Sequence, residues 1–235
     1  MCSSDLVARD PFGTDRRATG PSAHANVLWL LGYPDQALTR SRAGLALARE
    51  IAHPFTMALV WNNNNRLQQF LHDARAVQQQ AEAQSVLCNE QGISALSPWV
   101  TTWRGWALAM QGQAEEGINH IQQGMATFRA TGTGVWRPYH LALLAEAYGK
   151  TEQIGEGLTA LAEALALVDQ TGERWCEAEL YRLKGELTLQ SKVQGLKSRV
   201  EEEAEACFLK AIEIARCQSA KSLELRAATS LARLW

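Results

Sequence analysis

The chain has 235 residues, 46% of them apolar, and a formal net charge of −2 at pH 7. This charge balance argues against a nucleic-acid-binding surface, which usually needs a basic excess. With no run of 18 apolar residues, no leader pattern and five scattered cysteines that lack a CxxC motif, we expect a reduced, cytoplasmic protein that neither enters nor spans a membrane.

The first twenty residues differ from the rest of the chain because they are polar and interrupted by glycine and proline. We therefore predict a disordered N-terminal segment over residues 1–20 and one helical repeat domain over residues 21–235. The opening residues Met1–Leu6 resemble the translation of a sequencing adapter, and the alternative is a natural disordered start. Because the first repeat looks cut short and no polar capping element follows Trp235, we also predict that the chain is a fragment of a longer protein.

Helical periodicity, interrupted by turns that contain glycine or proline, predicts five helix pairs and one further helix. In the third pair, two helices lie between Trp99 and Phe128 and are joined by a tight turn at Gln111–Gln113. Asp35 and Ser97 are predicted helix caps. The other helices are predicted over residues 22–31, 36–51, 56–70, 74–91, 138–150, 154–169, 175–190, 199–217 and 221–234.

Four consecutive asparagines, Asn62–Asn65, interrupt the helix predicted over residues 56–70 with poor helix formers. One interpretation is a functional polar patch. The interpretation we favour is that these residues lie on a partly exposed face, where they weaken the helix locally.

Small residues recur at one register of the helix pairs. An alanine or glycine stands at the equivalent position of all five pairs, at intervals of 39, 41, 40 and 47 residues. Because a glycine inside a helix costs about 0.5–1 kcal/mol against alanine, Gly105, Gly117 and Gly124 in one pair predict a close approach of two helix backbones. A repeat that cannot bury its own apolar face indicates a solenoid. The register consists of Ala37, Ala76, Gly117, Gly157 and Ala204.

This spacing of small residues resembles the tetratricopeptide repeat, although the period of about 40 residues exceeds the usual 34. Four segments also resemble the C-terminal repeat region of large bacterial proteins that join a nucleotide cyclase domain to an AAA-type ATPase domain, and related tails of ATP-dependent transcription activators. The resemblance implies a right-handed α-solenoid of five tetratricopeptide-like helix pairs plus one terminal helix. The four segments are residues 28–38, 104–118, 137–150 and 172–189.

In the family that this sequence resembles, the first helix of each pair lines a concave face. Carried over by register, this implies a partner-binding groove rich in tryptophan, which would suit a peptide or an uncharged ligand because aromatic side chains bury a large area. The alternative for Trp99 and Trp106 is a core position between helices, and Trp103 is predicted to be core. The predicted groove residues are Trp29, Trp61, Asn65, Gln69, Trp99, Thr102, Trp106, Tyr139, Glu146, Lys150, Arg182, Glu186 and Gln190.

The charged members of this set, Glu146, Lys150, Arg182 and Glu186, have two interpretations. Either they form a polar end of the groove, or they only pair with one another at the surface. In the second case each ion pair contributes under about 1 kcal/mol.

No pattern for catalysis or cofactor binding is found in the sequence. Gly149–Thr151 resembles the end of a phosphate-binding loop, but Leu144 stands where that loop needs a glycine, and the preceding residues have helical periodicity. The five histidines include no HExxH pattern and no pair four residues apart, and no serine lies in a GxSxG motif. We therefore predict no enzymatic activity, no metal site and no cofactor.

The leading hypothesis is a non-catalytic protein-interaction or regulatory module of a larger bacterial signalling protein. Its concave groove would bind a protein or peptide partner, or the protein's own ATPase or cyclase domains. One alternative is a sensor of small molecules such as sugars, which a closed pocket around Trp99 and Tyr139 would favour. Another is a structural scaffold that self-associates through its uncapped ends.

Overall fold

The computed structural model describes residues 13–130, 135–191 and 197–235. Within these ranges the chain forms eleven α-helices, a short 3-10 helix over Ser94–Leu96 and no β-strand, which confirms the predicted all-α class. None of these helices is both long enough and apolar enough to cross a lipid bilayer. The helices are α1 (Arg16–Leu30), α2 (Pro34–Ile51), α3 (Pro54–Phe70), α4 (Ala74–Glu90), α5 (Ser97–Met110), α6 (Ala114–Ala130), α7 (Arg137–Tyr148), α8 (Ile154–Thr171), α9 (Glu177–Gln190), α10 (Lys197–Cys217) and α11 (Lys221–Leu234).

Helix α1 begins earlier than predicted and continues through Pro21. Asp15 caps it by accepting a hydrogen bond from the backbone N–H of Arg17 at 2.9 Å, and the N–H of Asp15 donates to Thr56 Oγ1 on α3 at 3.1 Å. These bonds anchor the helix start and offset the backbone hydrogen bond that a proline removes. The predicted domain boundary therefore falls inside α1, and residues 1–12 lie outside the described residues.

The two predicted helix caps are wrong, because Asp35 lies two positions after its helix cap and Ser97 lies one position after its helix cap. Pro34 opens α2 with Tyr33 at the cap, so Asp35 lies in the first turn, where the helix dipole favours its charge. In the same way Ser97 is the first residue of α5, and Leu96 stands at the cap without a side-chain hydrogen bond.

The helices form two layers around a common axis. In the inner layer each odd-numbered helix contacts the next odd-numbered helix along the chain, and α11 contacts α1. Each even-numbered helix lies outside, against the two inner helices that precede and follow it. At the seam between α11 and α1, the Ser222 hydroxyl donates to the carbonyl oxygen of Trp29 at 2.5 Å, which joins residues 193 positions apart. The inner layer is thus closed around its axis.

The pair α5–α6 crosses at its three glycines. A Cβ atom added to Gly105 would lie 2.6 Å from the carbonyl oxygen of Gly117, and one added to Gly117 would lie 2.7 Å from the backbone nitrogen of Ala109. One added to Gly124 would lie 2.8 Å from the carbonyl oxygen of Pro98. No side chain fits at these distances, so the predicted close approach of the two backbones is confirmed.

The four asparagines of α3 are not on a partly exposed face, so that interpretation is wrong. Asn62, Asn64 and Asn65 are buried, and the fourth asparagine is partly buried and hydrogen-bonded to α1. Asn62 Oδ1 accepts a hydrogen bond from Trp103 Nε1 of α5 at 2.8 Å. Buried amides are tolerated because neighbouring helices supply their partners.

Two of these asparagines connect α3 to both outer helices that flank it. Asn64 accepts from Ser41 Oγ of α2 at 2.6 Å and donates to Gln80 Oε1 of α4 at 2.5 Å. Asn65 donates to Gln84 Oε1 of α4 at 3.0 Å. The asparagine run is therefore a set of connections between helices rather than a local weakness.

Candidate functional site

Four of the five aromatic residues predicted to line the groove are buried within the inner layer. Trp29 is 5% exposed, Tyr139 4%, Trp99 9%, and Trp106 is inaccessible to solvent. Trp103, predicted to be core, is inaccessible as well. These side chains therefore lie in core positions between helices, as the alternative interpretation stated. That they contact a partner stays a prediction.

Three of the four uncharged polar members of the predicted groove, Asn65, Gln69 and Thr102, are also buried, whereas Gln190 is exposed and Trp61 is partly exposed. Gln69 accepts a hydrogen bond from the Tyr139 hydroxyl at 2.8 Å, and Thr102 donates to a backbone carbonyl of its own helix. Asn65 is wholly buried. Beside Tyr139 the described residues leave a space of about 20 Å³, which is room for about one water molecule rather than for a sugar.

The five remaining predicted residues come together at one end of the inner layer, where they line an open cavity of about 440 Å³. We call it the axial cavity. Its wall contains segments of α7, α9 and α11 and the turn between α3 and α4. It is lined by His72, Glu146, Gly149, Lys150, Arg182, Leu183, Glu186, Leu187, Gln190, Leu225, Arg226, Thr229, Ser230 and Arg233.

Helical spacing explains why these side chains meet. Arg182, Glu186 and Gln190 follow one another at four-residue intervals on α9, so they share one face. Arg226 and Arg233 are seven residues apart on α11 and share a face in the same way. Most of these residues lie toward the C-terminal ends of their helices, whose last carbonyl groups favour positive charge.

Glu146 is tightly held at the inner end of the cavity. Its carboxylate accepts a hydrogen bond from Trp106 Nε1 at 2.7 Å and lies 3.1 Å from His72 Nε2. Burial alone would raise the pKa of Glu146, but the bonds from His72 and Trp106 and the nearby charge of Arg226 lower it to about 2. The carboxylate is therefore ionised at neutral pH.

A second group of ion pairs connects α9 to α11. Arg182 bonds to Glu179 at 2.6 Å and also to Glu186, which accepts a hydrogen bond from Ser230 at 2.9 Å. Arg226 of α11 pairs with Glu179 at 3.0 Å. Burial disfavours the charge of Arg182, but the neighbouring carboxylates outweigh it and raise the pKa of this guanidinium. The structure thus combines both interpretations of the charged set, since its members pair with each other and also border an open cavity.

Two cations at the cavity rim differ from the rest. Lys150 and Arg233 are exposed, and neither has an acidic partner among the described residues. Lys150 lies in the turn between α7 and α8, so the segment Gly149–Thr151 joins two helices rather than a strand and a helix.

The described side chains of the cavity are suited to holding a ligand. The Ser230 hydroxyl donates a hydrogen bond to the carboxylate of Glu186, and the Thr229 hydroxyl donates to a backbone carbonyl. Within the described ranges, no three His, Cys, Asp or Glu residues are grouped closely enough to hold a metal ion.

Sequence reasoning missed the residues that α11 and the α3–α4 turn contribute. Arg226, Ser230 and Arg233 form a polar stripe on α11 that is visible in the sequence. It borders the cavity because α11 packs against α9, where Arg226 pairs with Glu179 and Ser230 bonds to Glu186. His72 occupies a left-handed turn position with φ of 58°, a rare conformation for a residue other than glycine.

No family model matches the chain. It is 25% identical over 226 residues to an uncharacterized protein of Rhizobium meliloti (strain 1021). The match covers 94% of this chain and 21% of that protein, so the chain spans about a fifth of the length of this curated relative.

Proposed function

We propose that this chain is a non-catalytic interaction module that binds a segment of a protein partner at the axial cavity. The observation that carries the proposal is the cavity itself, which is open and measures about 440 Å³. Lys150 and Arg233 at its rim have no acidic partner among the described residues. A volume of this size suits several side chains of a bound segment. The aromatic core, by contrast, is already filled.

We also assign the helices to a right-handed, tetratricopeptide-like solenoid whose inner layer closes on itself. Support comes from the small-residue register, because its members stand where paired helices approach closely. A Cβ atom on Gly157 would lie 3.2 Å from Tyr148 Cβ of the preceding helix, and Gly117 faces Gly105 in the same way. Side-by-side helix pairs of this kind are typical of repeat proteins.

In this proposal the module belongs to a larger cytoplasmic signalling protein with attached ATPase or cyclase domains. The match to 21% of the Rhizobium meliloti protein supports a place within a longer chain. A ligand in the cavity would contact α11, which also closes the seam through Ser222 and Trp29. Binding would therefore favour the closed arrangement and bias the attached domains between two states.

A peptide selection tests this proposal. Peptides selected from a random displayed library on the wild-type chain are measured against the double variant Lys150→Ala/Arg233→Ala. The matched control is Arg40→Ala/Arg42→Ala, which removes two exposed cations of α2 that do not line the cavity. We expect the control to bind like the wild type and the cavity variant to bind at least about tenfold more weakly, because two charge-assisted contacts are lost.

The proposal fails if the selected peptides bind both double variants as well as they bind the wild type. It also fails if the library yields no peptide that prefers this chain over an unrelated helical protein. Circular dichroism of each variant confirms that it is folded, since all four substituted side chains are exposed.

A further inference from the structure

The hydrogen-bonding groups of the axial cavity are used unevenly. Both carboxylates on its wall already accept hydrogen bonds. Glu146 accepts from an indole and an imidazole, one on each oxygen, and Glu186 accepts from a guanidinium and a hydroxyl, both on Oε1. Each carboxylate therefore already has partners within the chain.

The donors are in the opposite situation. An ammonium group carries three N–H donors and a guanidinium carries five. Those of Lys150 and Arg233 have no acidic partner among the described residues. Lys150 borders the cavity from the turn after α7 and Arg233 borders it from α11, so the two side chains face the same ligand space.

The net charge of the cavity wall is positive, in agreement with the donors that lack an acidic partner. Four permanent cations face two carboxylates there, and counting Glu179 behind the wall still leaves an excess of positive charge. The chain as a whole has a net charge of −2, so the excess is a local property of this site. The cations are Lys150, Arg182, Arg226 and Arg233.

The cavity also has an apolar part. Leu183 and Leu187 are buried in its floor, and Leu225 of α11 is 69% exposed beside them. An exposed leucine at a polar rim favours a ligand that places a short apolar body next to its charged group.

We infer that the axial cavity recognises oxyanions, with carboxylate or phosphate oxygens held between Lys150 and Arg233 and a short apolar body placed on the leucines. The planar guanidinium of Arg233 suits two parallel bonds to such a group, and Lys150 adds a point charge. The inference rests on the proposed function and specifies the chemical class of the ligand. The oxyanion comes either from acidic side chains of a partner segment or from a free organic anion.

A competing explanation is that the two cations only complement helix dipoles, because both lie at C-terminal helix ends. In that case their removal would lower the stability of the chain without changing ligand binding. The inference requires the reverse, a loss of binding in a variant that remains folded.

The test uses a fluorescein-labelled peptide of alternating glutamate and alanine, and the same peptide with glutamine in place of glutamate. Affinities are measured by fluorescence polarisation, and calorimetry measures the binding of succinate and of inorganic phosphate. We expect the wild type to bind the glutamate peptide at least about tenfold tighter than the glutamine peptide. Lys150→Ala/Arg233→Ala loses this preference, and Arg40→Ala/Arg42→Ala keeps it.

The inference is overturned if both peptides bind with the same measurable affinity, if Lys150→Ala/Arg233→Ala keeps the preference for glutamate, or if none of the oxyanions binds. If succinate or phosphate binds at the cavity and the glutamate peptide does not, the oxyanion inference stands and the proposed partner segment fails. If uncharged peptides from the selection bind at the cavity and no oxyanion does, the proposed function stands and this inference fails.

Discussion

Two neighbouring helix pairs of this molecule are held together by different chemistry. In α5–α6 the backbones meet directly at Gly105 and Gly117, with no space for a side chain between them. In α3–α4 the helices are connected by amide side chains, of which Asn64 and Asn65 bond to glutamines of α4. The first pair requires that no side-chain atoms lie between the helices, and the second requires that each amide has its hydrogen-bond partner.

This difference determines which changes each pair tolerates. A glycine contact is damaged by any added atom, whereas an amide contact is damaged when one partner is removed and the other is left buried. Apolar packing around α5–α6 also places a titratable histidine in a dry site, while the amides of α3–α4 carry no proton that could be gained or lost near neutral pH.

The largest expected effect is that of Gly117→Ala. Its Cβ atom would press against the carbonyl oxygen of Gly105 and the backbone of Ala109, so α5 and α6 must separate. We expect the free energy of unfolding to fall by about 3 kcal/mol, measured by denaturant titration.

Gly155→Ala is the matched control, because nothing lies within 4 Å of the Cβ position at Gly155 in the first turn of α8. This change should leave stability equal or raise it by about 0.5 kcal/mol. If both substitutions have the same effect, the glycines act through helix propensity and not through close contact.

The substitution Asn64→Ala tests the amide contacts of the α3–α4 pair. The change removes bonds to Ser41 and Gln80 and leaves their polar atoms partly buried without a partner, so we expect a loss of about 2 kcal/mol. Asn89→Ala, at an exposed position of α4, should stay within about 0.5 kcal/mol of the wild type. A loss at Asn64 no greater than at Asn89 would contradict the structural role of the asparagines.

The pH dependence of stability should come from the buried histidine that packs against the α5–α6 pair. His140 packs against Trp99 and Phe128, and burial, together with the charge of Arg66, lowers its pKa from 6.5 to about 3. Below pH 6.5 the unfolded chain therefore binds a proton that the folded chain does not, and stability is lost as the pH falls toward 3.

The expected loss is about 1.4 kcal/mol for each pH unit below 6.5. Unfolding titrations at pH 7 and pH 5.5 compare the wild type with His140→Gln, which keeps every other titratable group. The histidine-dependent part of the loss should disappear in the variant. Parallel pH profiles for the two proteins would show that His140 titrates normally.

The smallest expected effect concerns the contact between the aromatic core and the cavity. Trp106→Phe removes the indole donor to Glu146, which should raise the pKa of Glu146 from about 2 toward its ordinary value and lower stability by about 1 kcal/mol. Because a lowered carboxyl pKa stabilises the fold at neutral pH and loses that effect in acid, the difference should shrink near pH 2. Trp61→Phe, at a partly exposed position, should leave the Glu146 titration unchanged when followed by NMR.

The sequence was sufficient to predict features that follow from the repeat register but not side-chain contacts between helices. The register of small residues predicted the α5–α6 contact because Gly105 and Gly117 face each other within one local pair. The asparagines were misjudged because helix propensity describes a solvated residue, whereas the partners Ser41 and Gln80 come from two other helices.

The candidate site divides in the same way. The polar residues of α7 and α9, such as Glu146 and Arg182, followed from the register of the first helix in each pair. The residues of α11 did not, because that register covers only the five pairs, whereas Arg226 enters the cavity from the terminal helix and pairs there with Glu179 of α9. Four members of the aromatic set, Trp29, Trp99, Trp106 and Tyr139, are buried as core, and sequence periodicity alone does not distinguish a core position from a groove position.

The measurement that tests this account most directly is hydroxyl-radical footprinting of the tryptophans, read by mass spectrometry. The account predicts strong protection of Trp29, Trp103 and Trp106, at 5% exposure or less, relative to Trp235, which is 79% exposed. If Trp29 and Trp106 are oxidised as fast as Trp235, the inner face is an open aromatic groove. The binding site would then lie along those tryptophans instead of at the axial cavity.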